Sequence, residues 1–242
     1  MYKGKRIAVC MPAYNGAEKI AGVIARTPKI YDHFIVVDDG STDATPEILK
    51  KIKGITVIRH PQNRGYGGAQ KTMYREAVKR GADFAVMLHQ DGQYSPADMP
   101  ALLDAAIAEQ ADVVLGSRIL SGKQAMLDGG VPAYKYYGNR FLTAVENAAF
   151  GTKIAEFHTG YRVYSRKAIN AIDLDSLTEK YYFDSDIILE ALKHHLKIAQ
   201  VPISVHYYEN VTAANPFSYG LEILFLVAKF MLRGRRILRA RQ

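Results

Sequence analysis

From Ile7 to Leu115 the chain repeats one pattern: a short apolar run, a polar loop, then a segment of helical periodicity. The runs are Ile7–Met11, Phe34–Val37, Thr56–Arg59, Phe84–Leu88 and Asp112–Leu115. Runs this short and unbroken suit strands covered on both faces. Their alternation with helices over short connections argues for a parallel sheet with crossover helices. Thr45-Pro46-Glu47 reads as N-cap and N1 of a helix to about Ile52, and Ser95-Pro96 opens one that runs to Ala108. The expected fold class is α/β, a mostly parallel central sheet flanked by helices. Ligands of such sheets gather at the carboxyl ends of the strands, so the loops after each run are where chemistry is to be sought.

The 242 residues, 48% apolar and 23% charged, are enough to bury a sizeable core and read as one domain over residues 1–215. Helical stretches are expected at about Asn139–Phe150, Asp184–His194 and Pro216–Leu232. Between Leu120 and Tyr137, four Gly or Pro residues and weak periodicity read as a mobile loop over the site. The lone Cys10 excludes a disulfide framework and fits a cytosolic setting. The N-terminus leads straight into a strand, which argues against a signal peptide.

Residues 216–242 read as an amphipathic helix with a basic tail. Ile223-Leu224-Phe225-Leu226-Val227 and Phe230-Met231-Leu232 form an apolar stripe, and Arg233, Arg235, Arg236, Arg239 and Arg241 follow. The stripe is short of the roughly twenty residues a membrane span needs. It suits contact with a membrane surface, peripheral on the cytoplasmic face, or else packing on the sheet or in a homo-oligomer. The net charge of +8 attracts nucleic acid, anionic lipid and phosphorylated substrates alike. Its concentration at one end without interleaved aromatics argues against nucleic acid.

Three polar strand ends stand out. Pro12-Ala13-Tyr14-Asn15 follows the first run, and Asp38-Asp39-Gly40-Ser41-Thr42-Asp43 the second. Leu88-His89-Gln90-Asp91-Gly92-Gln93 ends the fourth. Their convergence points to a nucleotide pocket, in which Asp38 and Asp39 accept from a base N–H or a ribose hydroxyl. Turn capping is the competing reading for Asp38, and helix capping the preferred one for Asp43. Asp91 and Gln93 supply hard oxygens suited to Mg²⁺ or Mn²⁺ on a diphosphate; an Asp-Gly turn without chemistry is the alternative. Asn63 to Lys71 is a glycine-rich turn entering a helix, but Gly65, Gly67 and Gly68 lack the G-x-G-x-x-G spacing of a dinucleotide site.

The order P-A-Y-N, V-D-D-G-S-T-D, N-R-G-Y-G-G-A, a D-x-Q loop, L-G-S-R at Leu115–Arg118 and H-T-G-Y-R-V-Y at His158–Tyr164 resembles family 2 glycosyltransferases of the GT-A fold. The branch it resembles is that of the polyprenyl-phosphate (dolichyl-type) sugar transferases, over roughly residues 5–205. The resemblance implies an NDP-sugar donor contacted by Pro12, Ala13, Tyr14, Asn15 and Asp39. The Gly65–Gly68 turn, with Lys71 behind it, would pack near the nucleoside. Asp91 and Gln93 would hold a divalent metal, Mn²⁺ or Mg²⁺, with Arg118 and Arg162 facing phosphate charge. The acceptor would be a polyprenyl phosphate or a saccharide hydroxyl. A hydroxyl needs a base, for which Asp184 is the nearest candidate, with helix capping its competing role. Two positions depart from the family: His89 replaces the first Asp of D-x-D, adding a nitrogen ligand better suited to Mn²⁺ than to Mg²⁺, and Gly16 replaces an acidic residue. The implied mechanism is an inverting displacement at the anomeric carbon. A nucleotidyltransferase and a nucleic-acid-binding module are the readings from other classes.

Overall fold

The computed structural model describes the backbone of residues 1–206 and 216–239, and the side chains of 1–206 and 218–232. Seven strands form one sheet: β1 (Ile7–Ala13), β2 (His33–Asp38), β3 (Thr56–Arg59), β4 (Phe84–Met87), β5 (Val113–Ser117), β6 (Arg162–Ser165) and β7 (Ile198–Pro202). They are ordered β3-β2-β1-β4-β6-β5-β7. Every pairing is parallel except those of β6, which runs antiparallel to both β4 and β5. The α/β expectation holds, and the sequence reading lacked two strands. β6 (RVYS) and β7 (IAQVP) are four- and five-residue strands that carry no unbroken apolar run of the kind that marks β1 or β4.

Alternation along β1 explains why its run is uniformly apolar. Ala8 and Cys10 enter one core with Met73, Tyr74 and Ala77 of α3 (Tyr66–Lys79) and Ile187 and Ile188 of α8 (Phe183–Lys193). Ile7, Val9 and Met11 enter the other, against α1 (Ile20–Arg26) and α4 (Met99–Ala108). Neither face meets water, so both phases of the strand must be apolar. Cys10 is a buried free thiol whose pKa burial pushes up.

Residues 120–137 are not a loop. They contain α5 (Lys123–Asp128) and the first turn of α6 (Ala133–Phe150). Met126, Val131 and Tyr136 bury against one another with Ile119 and Val205, so tertiary packing overrides the weak periodicity. Gly122, at φ 95°, supplies the turn into α5. Helix α2 (Thr45–Lys51) has Ala44 rather than Thr45 at its N-cap, and Asp43 Oδ1 accepts from Thr45 N at 2.9 Å, as expected for a capping aspartate. Helix α7 (Arg166–Ala171) follows β6.

Helix α9 (Pro216–Arg239) lies along α6. Leu226 belongs to the main core, and the Phe230 and Phe150 rings sit 4.9 Å apart. No described helix is long and apolar enough to cross a membrane. The side chains of Arg233, Arg235, Arg236 and Arg239, and all of Arg241, lie outside the described residues.

Candidate active site

The carboxyl ends of β1, β2, β4 and β5 open into one cavity of about 1190 Å³. Because β6 runs the opposite way, it is the segment before it, residues 156–161, that reaches the same edge. Helices α6 and α9 wall the far side through Lys135, Asn139, Tyr219 and Glu222.

At the β1–β2 end, Pro12, Ala13, Tyr14, Asn15 and Asp39 line the cavity. Asn15, at φ 47°, staples the two loops: its Oδ1 accepts from Thr42 N at 2.9 Å, and its own N–H donates to Ser41 Oγ at 3.0 Å. Asp39 Oδ1 accepts from Arg64 N at 2.9 Å and lies 2.5 Å from His60 Nδ1. Asp38 is not in the cavity. It is fully buried and caps the turn by accepting from Ser41 N at 3.0 Å, with Arg59 Nε 3.4 Å from its other oxygen.

The glycine-rich turn is divided. Gly65, at φ 84°, lines the cavity, whereas Gly67 and Gly68 lie beneath it. Their lack of a side chain serves packing: a Cβ on Gly67 would overlap Thr178 O, and one on Gly68 would come 2.8 Å from Arg64 Cβ. Lys71 also points away, its buried Nζ donating to Leu177 O at 2.6 Å. The turn thus holds residues 177–179 against α3 rather than cradling phosphate with three glycines.

In the loop after β4, Asp91 lines the cavity and accepts from Gln93 N at 3.0 Å, an Asx turn around Gly92 at φ 74°. Gln90 Oε1 and Gln93 Nε2 are buried without a hydrogen-bond partner. Gln90 Nε2 donates to Tyr14 O at 2.8 Å, and its carboxamide fills the space a Cβ on Gly16 would need. The acidic side chain absent at Gly16 has been replaced by an amide from the neighbouring loop.

His89 is engaged away from Asp91. Its Nε2 lies 3.1 Å from Tyr66 Oη, which donates to Asp184 Oδ2 at 2.8 Å. With its one proton on Asp184, the Tyr66 oxygen is left to accept, so His89 Nε2 carries a hydrogen and is no metal ligand in this arrangement. Burial and the nearby Asp184 charge push the Tyr66 hydroxyl pKa well up, which keeps it a donor. Among the described residues no group of three or more His, Cys, Asp or Glu gathers to hold a metal. The oxygen set of Asp91 and the unpartnered Gln90 Oε1 still fits Mg²⁺ or Mn²⁺, which take one or two carboxylates and complete their shell with water and substrate phosphate.

Asp184 does not cap its helix: Tyr182 is the N-cap of α8, and Asp184 faces the cavity. Besides Tyr66 it accepts from Gln70 Nε2 at 3.4 Å. Arg162 is not in the cavity either. It is fully buried, and its guanidinium donates to the carbonyls of Thr159 (2.7 Å), Phe157 (2.6 Å) and Asp184 (2.5 Å). A guanidinium so occupied tethers β6 to α8 and offers no donor to phosphate.

Arg118 does line the cavity, but paired. Glu156, wholly buried, accepts from Arg118 N (2.7 Å), Nε (2.9 Å) and Nη2, and from Asn139 Nδ2 (2.8 Å). Burial would raise the Glu156 pKa; the Arg118 charge and hydrogen bonds reverse this and hold it below the usual range. Glu156, Tyr66, Tyr94 and the buried pair of Glu146 and His158 (3.0 Å) escaped the sequence reading, because their partners stand far away in the chain. Only the G-Y of Asn63–Gly68 and the HTGYR stretch hinted at Tyr66 and His158.

With this geometry in hand, comparison with known proteins is decisive. The model of "Glycosyl transferase family 2" matches residues 8–173, from β1 through α7. The chain belongs to that family. It is therefore a glycosyltransferase enzyme, and the cavity at the sheet's carboxyl edge is its candidate active site. A dolichyl-phosphate N-acetylglucosaminyltransferase using UDP-N-acetylglucosamine, from Methanococcus voltae, is 31% identical over 85% of this chain and 87% of its own. A dolichyl-phosphate hexose transferase of Haloferax volcanii is 30% identical over 95% of each. Among solved structures, glucosyl-3-phosphoglycerate synthase of Mycobacterium tuberculosis with Mn²⁺, UDP and glucosyl-3-phosphoglycerate superposes with a TM-score of 0.64. The two are 22% identical, over 95% of this chain and 78% of that one; that likeness concerns the fold. Asp184 and Tyr219 of this family 2 enzyme lie beyond the matched segment.

Proposed function

We propose that this glycosyltransferase moves a sugar, with inversion, from an NDP-sugar to a polyprenyl (dolichyl-type) phosphate. The observation that carries the reading is the shape of the cavity. Its β1–β2 half holds the presented carboxylate Asp39, and its far half lies between two helices with exposed apolar faces. Tyr134, Tyr137 and Phe141 stand out from α6, and Leu221, Leu224, Phe225 and Leu232 from α9. Lys123 sits over the Tyr137 ring, adding positive charge. A surface of this kind suits peripheral contact with an anionic bilayer, from which a lipid-linked phosphate reaches the cavity without leaving the membrane. Relatives named for dolichyl phosphate support the same acceptor.

In the reaction, an acceptor phosphate oxygen attacks the anomeric carbon while the bond to the donor's diphosphate breaks, its electron pair leaving with the nucleoside diphosphate. Asp91, which lines the cavity together with Gln90 and Gln93 of the same loop, would hold a divalent metal, which when bound neutralises charge growing on that diphosphate. Asp39 orients the nucleoside. An ionised phosphate acceptor needs no strong base. A saccharide hydroxyl is the second reading, favoured by Asp184, a carboxylate facing the cavity and oriented by Tyr66 and Gln70.

Thermal shift with UDP-, GDP- and dTDP-sugars, each with and without Mn²⁺, identifies the donor. Transfer to polyprenyl phosphate and to free saccharide is then compared. Transfer to saccharide alone refutes the lipid acceptor, and retention on DNA without any nucleotide-sugar stabilisation refutes the enzyme assignment of the cavity. Truncation from Arg233 should leave donor binding intact and weaken binding to anionic vesicles most at low salt, since each basic residue contributes roughly 1 kcal/mol there. Equal partitioning of both proteins refutes the membrane contact.

A further inference from the structure

His60 is a buried histidine just after β3, outside every motif of the sequence. It is bound to the end of β2 twice. Its backbone N–H donates to Asp38 O at 2.9 Å, and its Nδ1 stands 2.5 Å from Asp39 Oδ1. A carboxylate can only accept, so Nδ1 carries the hydrogen. On the opposite edge Nε2 meets Thr72 Oγ1 of α3 at 2.9 Å, which fixes the ring from behind. Arg64 N donates to the same Asp39 oxygen at 2.9 Å. Gly40 lets this loop close on the turn, since a Cβ there would come 2.8 Å from Asn63 N. Two donors thus converge on Oδ1, and Oδ2 is the oxygen that Asp39 has left for the cavity it lines.

We propose that His60 is a positioning residue that locks Asp39 so that Oδ2 reads the ring N–H of the donor's base, making the site selective for bases that carry that N–H. This rests on the NDP-sugar reading above. A carboxylate oxygen pairs with N3–H of uracil or N1–H of guanine. It meets the lone pair of N3 in cytosine or N1 in adenine with repulsion. Sites built to hydrogen-bond an N–H reject analogues lacking it strongly, by factors of roughly 10⁴ in the best cases.

The lock makes a sharper demand on Asp39→Asn. The carbonyl of the new amide must take the Oδ1 place, facing two N–H donors, so its NH₂ is turned into the cavity. A donor there favours cytosine or adenine. The base preference should therefore invert, and only while His60 holds the amide in that orientation.

The test is calorimetric binding of UDP, CDP, GDP and ADP, with Mn²⁺, to wild type and to four variants, beside steady-state turnover. Wild type should favour UDP over CDP, or GDP over ADP if the pocket admits purines, by about a hundredfold or more. His60→Leu should lose most of that discrimination and raise the donor KM at least about tenfold, with kcat within about threefold. His60→Asn, whose amide nitrogen takes the place of Nδ1, should restore it. D39N should invert the preference, and D39N/H60L should show none. Should His60→Leu fail to fold, D39N and H60N still decide the matter. Wild-type discrimination in His60→Leu, an uninverted D39N, or base-blind binding by the wild type overturns the role of His60 while leaving the donor reading standing. Failure of wild type to bind any of the four, and dTDP besides, overturns the donor reading itself.

Discussion

Replacing Glu156 by Gln tests the account of Arg118 as a paired residue. Oε1 accepts from Arg118 Nε and Nη2 and from Asn139 Nδ2, while Oε2 accepts from Arg118 N. A glutamine NH₂ in either place faces donors, so no rotamer satisfies the site, and the largely covered Arg118 charge loses its counter-ion. Removing one partner of a buried pair costs about 3–5 kcal/mol. For a chain this long each kcal/mol lowers Tm by about 2–4 °C, so E156Q should melt roughly 6–20 °C below wild type. The apolar double variant R118L/E156L should regain most of that loss, since replacing both ions spares the desolvation. The pH dependence carries a definite sign. Glu156 has a folded pKa below its ordinary value of 4.5, so its contribution is complete above that pH and is lost as pH falls toward the folded value. The Tm of wild type should therefore drop more steeply than that of E156Q between about pH 5 and pH 3. Calorimetric melts across that range decide it. An E156Q loss under about 1 kcal/mol, or a double variant no better than the single, refutes the pairing as the main role of Arg118. Recovered stability together with retained turnover in R118L/E156L would also show that phosphate never meets Arg118.

Three further outcomes follow from the same geometry. Asp91→Asn should keep its Tm within about 2 °C and its fold, yet lose most transfer and weaken Mn²⁺-dependent UDP binding; wild-type turnover removes Asp91 from the metal site. Gly160→Ala places a Cβ on His89 Nε2 and 2.8 Å from Tyr66 Oη, so both rings must shift. Strain of about 1–3 kcal/mol in the melt and a turnover loss of about a hundredfold are expected, and an unchanged enzyme contradicts the packing. His89→Asp should lower turnover by freeing Tyr66 and leave the preference between Mn²⁺ and Mg²⁺ unchanged; a metal profile moved toward Mg²⁺ contradicts the placement of His89 on Tyr66.

The strand-like runs were legible because most are apolar on both faces, β3 at the sheet edge being the exception, and all five of the loops behind them reach the cavity. What the sequence concealed is direction. Asp38 and Asp39 are neighbours in an identical context, yet successive side chains of an extended chain point to opposite sides, so one caps a turn and the other lines the site. Arg162 and Arg118 look equivalent as phosphate ligands. Only the arrival of backbone carbonyls around the first, which buries it, and of Glu156 beside the second, which still lines the cavity, tells the two apart. Such partners lie up to 40 residues apart in the chain, beyond the reach of local patterning. The reading of residues 120–137 failed for a similar reason, because Met126, Val131 and Tyr136 find their apolar neighbours only in three dimensions.

The reversed strand β6 has a consequence for how such enzymes diversify. The chain leaves the sheet's active edge after Ser117 and re-enters it at Arg162 on that same edge. Everything between forms an excursion whose two ends are neighbouring strands, anchored in the core by Phe150, Ile154 and Phe157. No strand of the sheet lies within it, and its bonds to Arg162 and Gln200 are what tie it to β6 and β7. Meanwhile β1, β2 and β4, which carry Pro12–Asn15, Asp39 and the Asp91 loop, remain as they are. Grafting the whole excursion from a relative, both anchor points kept, should exchange what the enzyme glycosylates while leaving its choice of nucleotide intact.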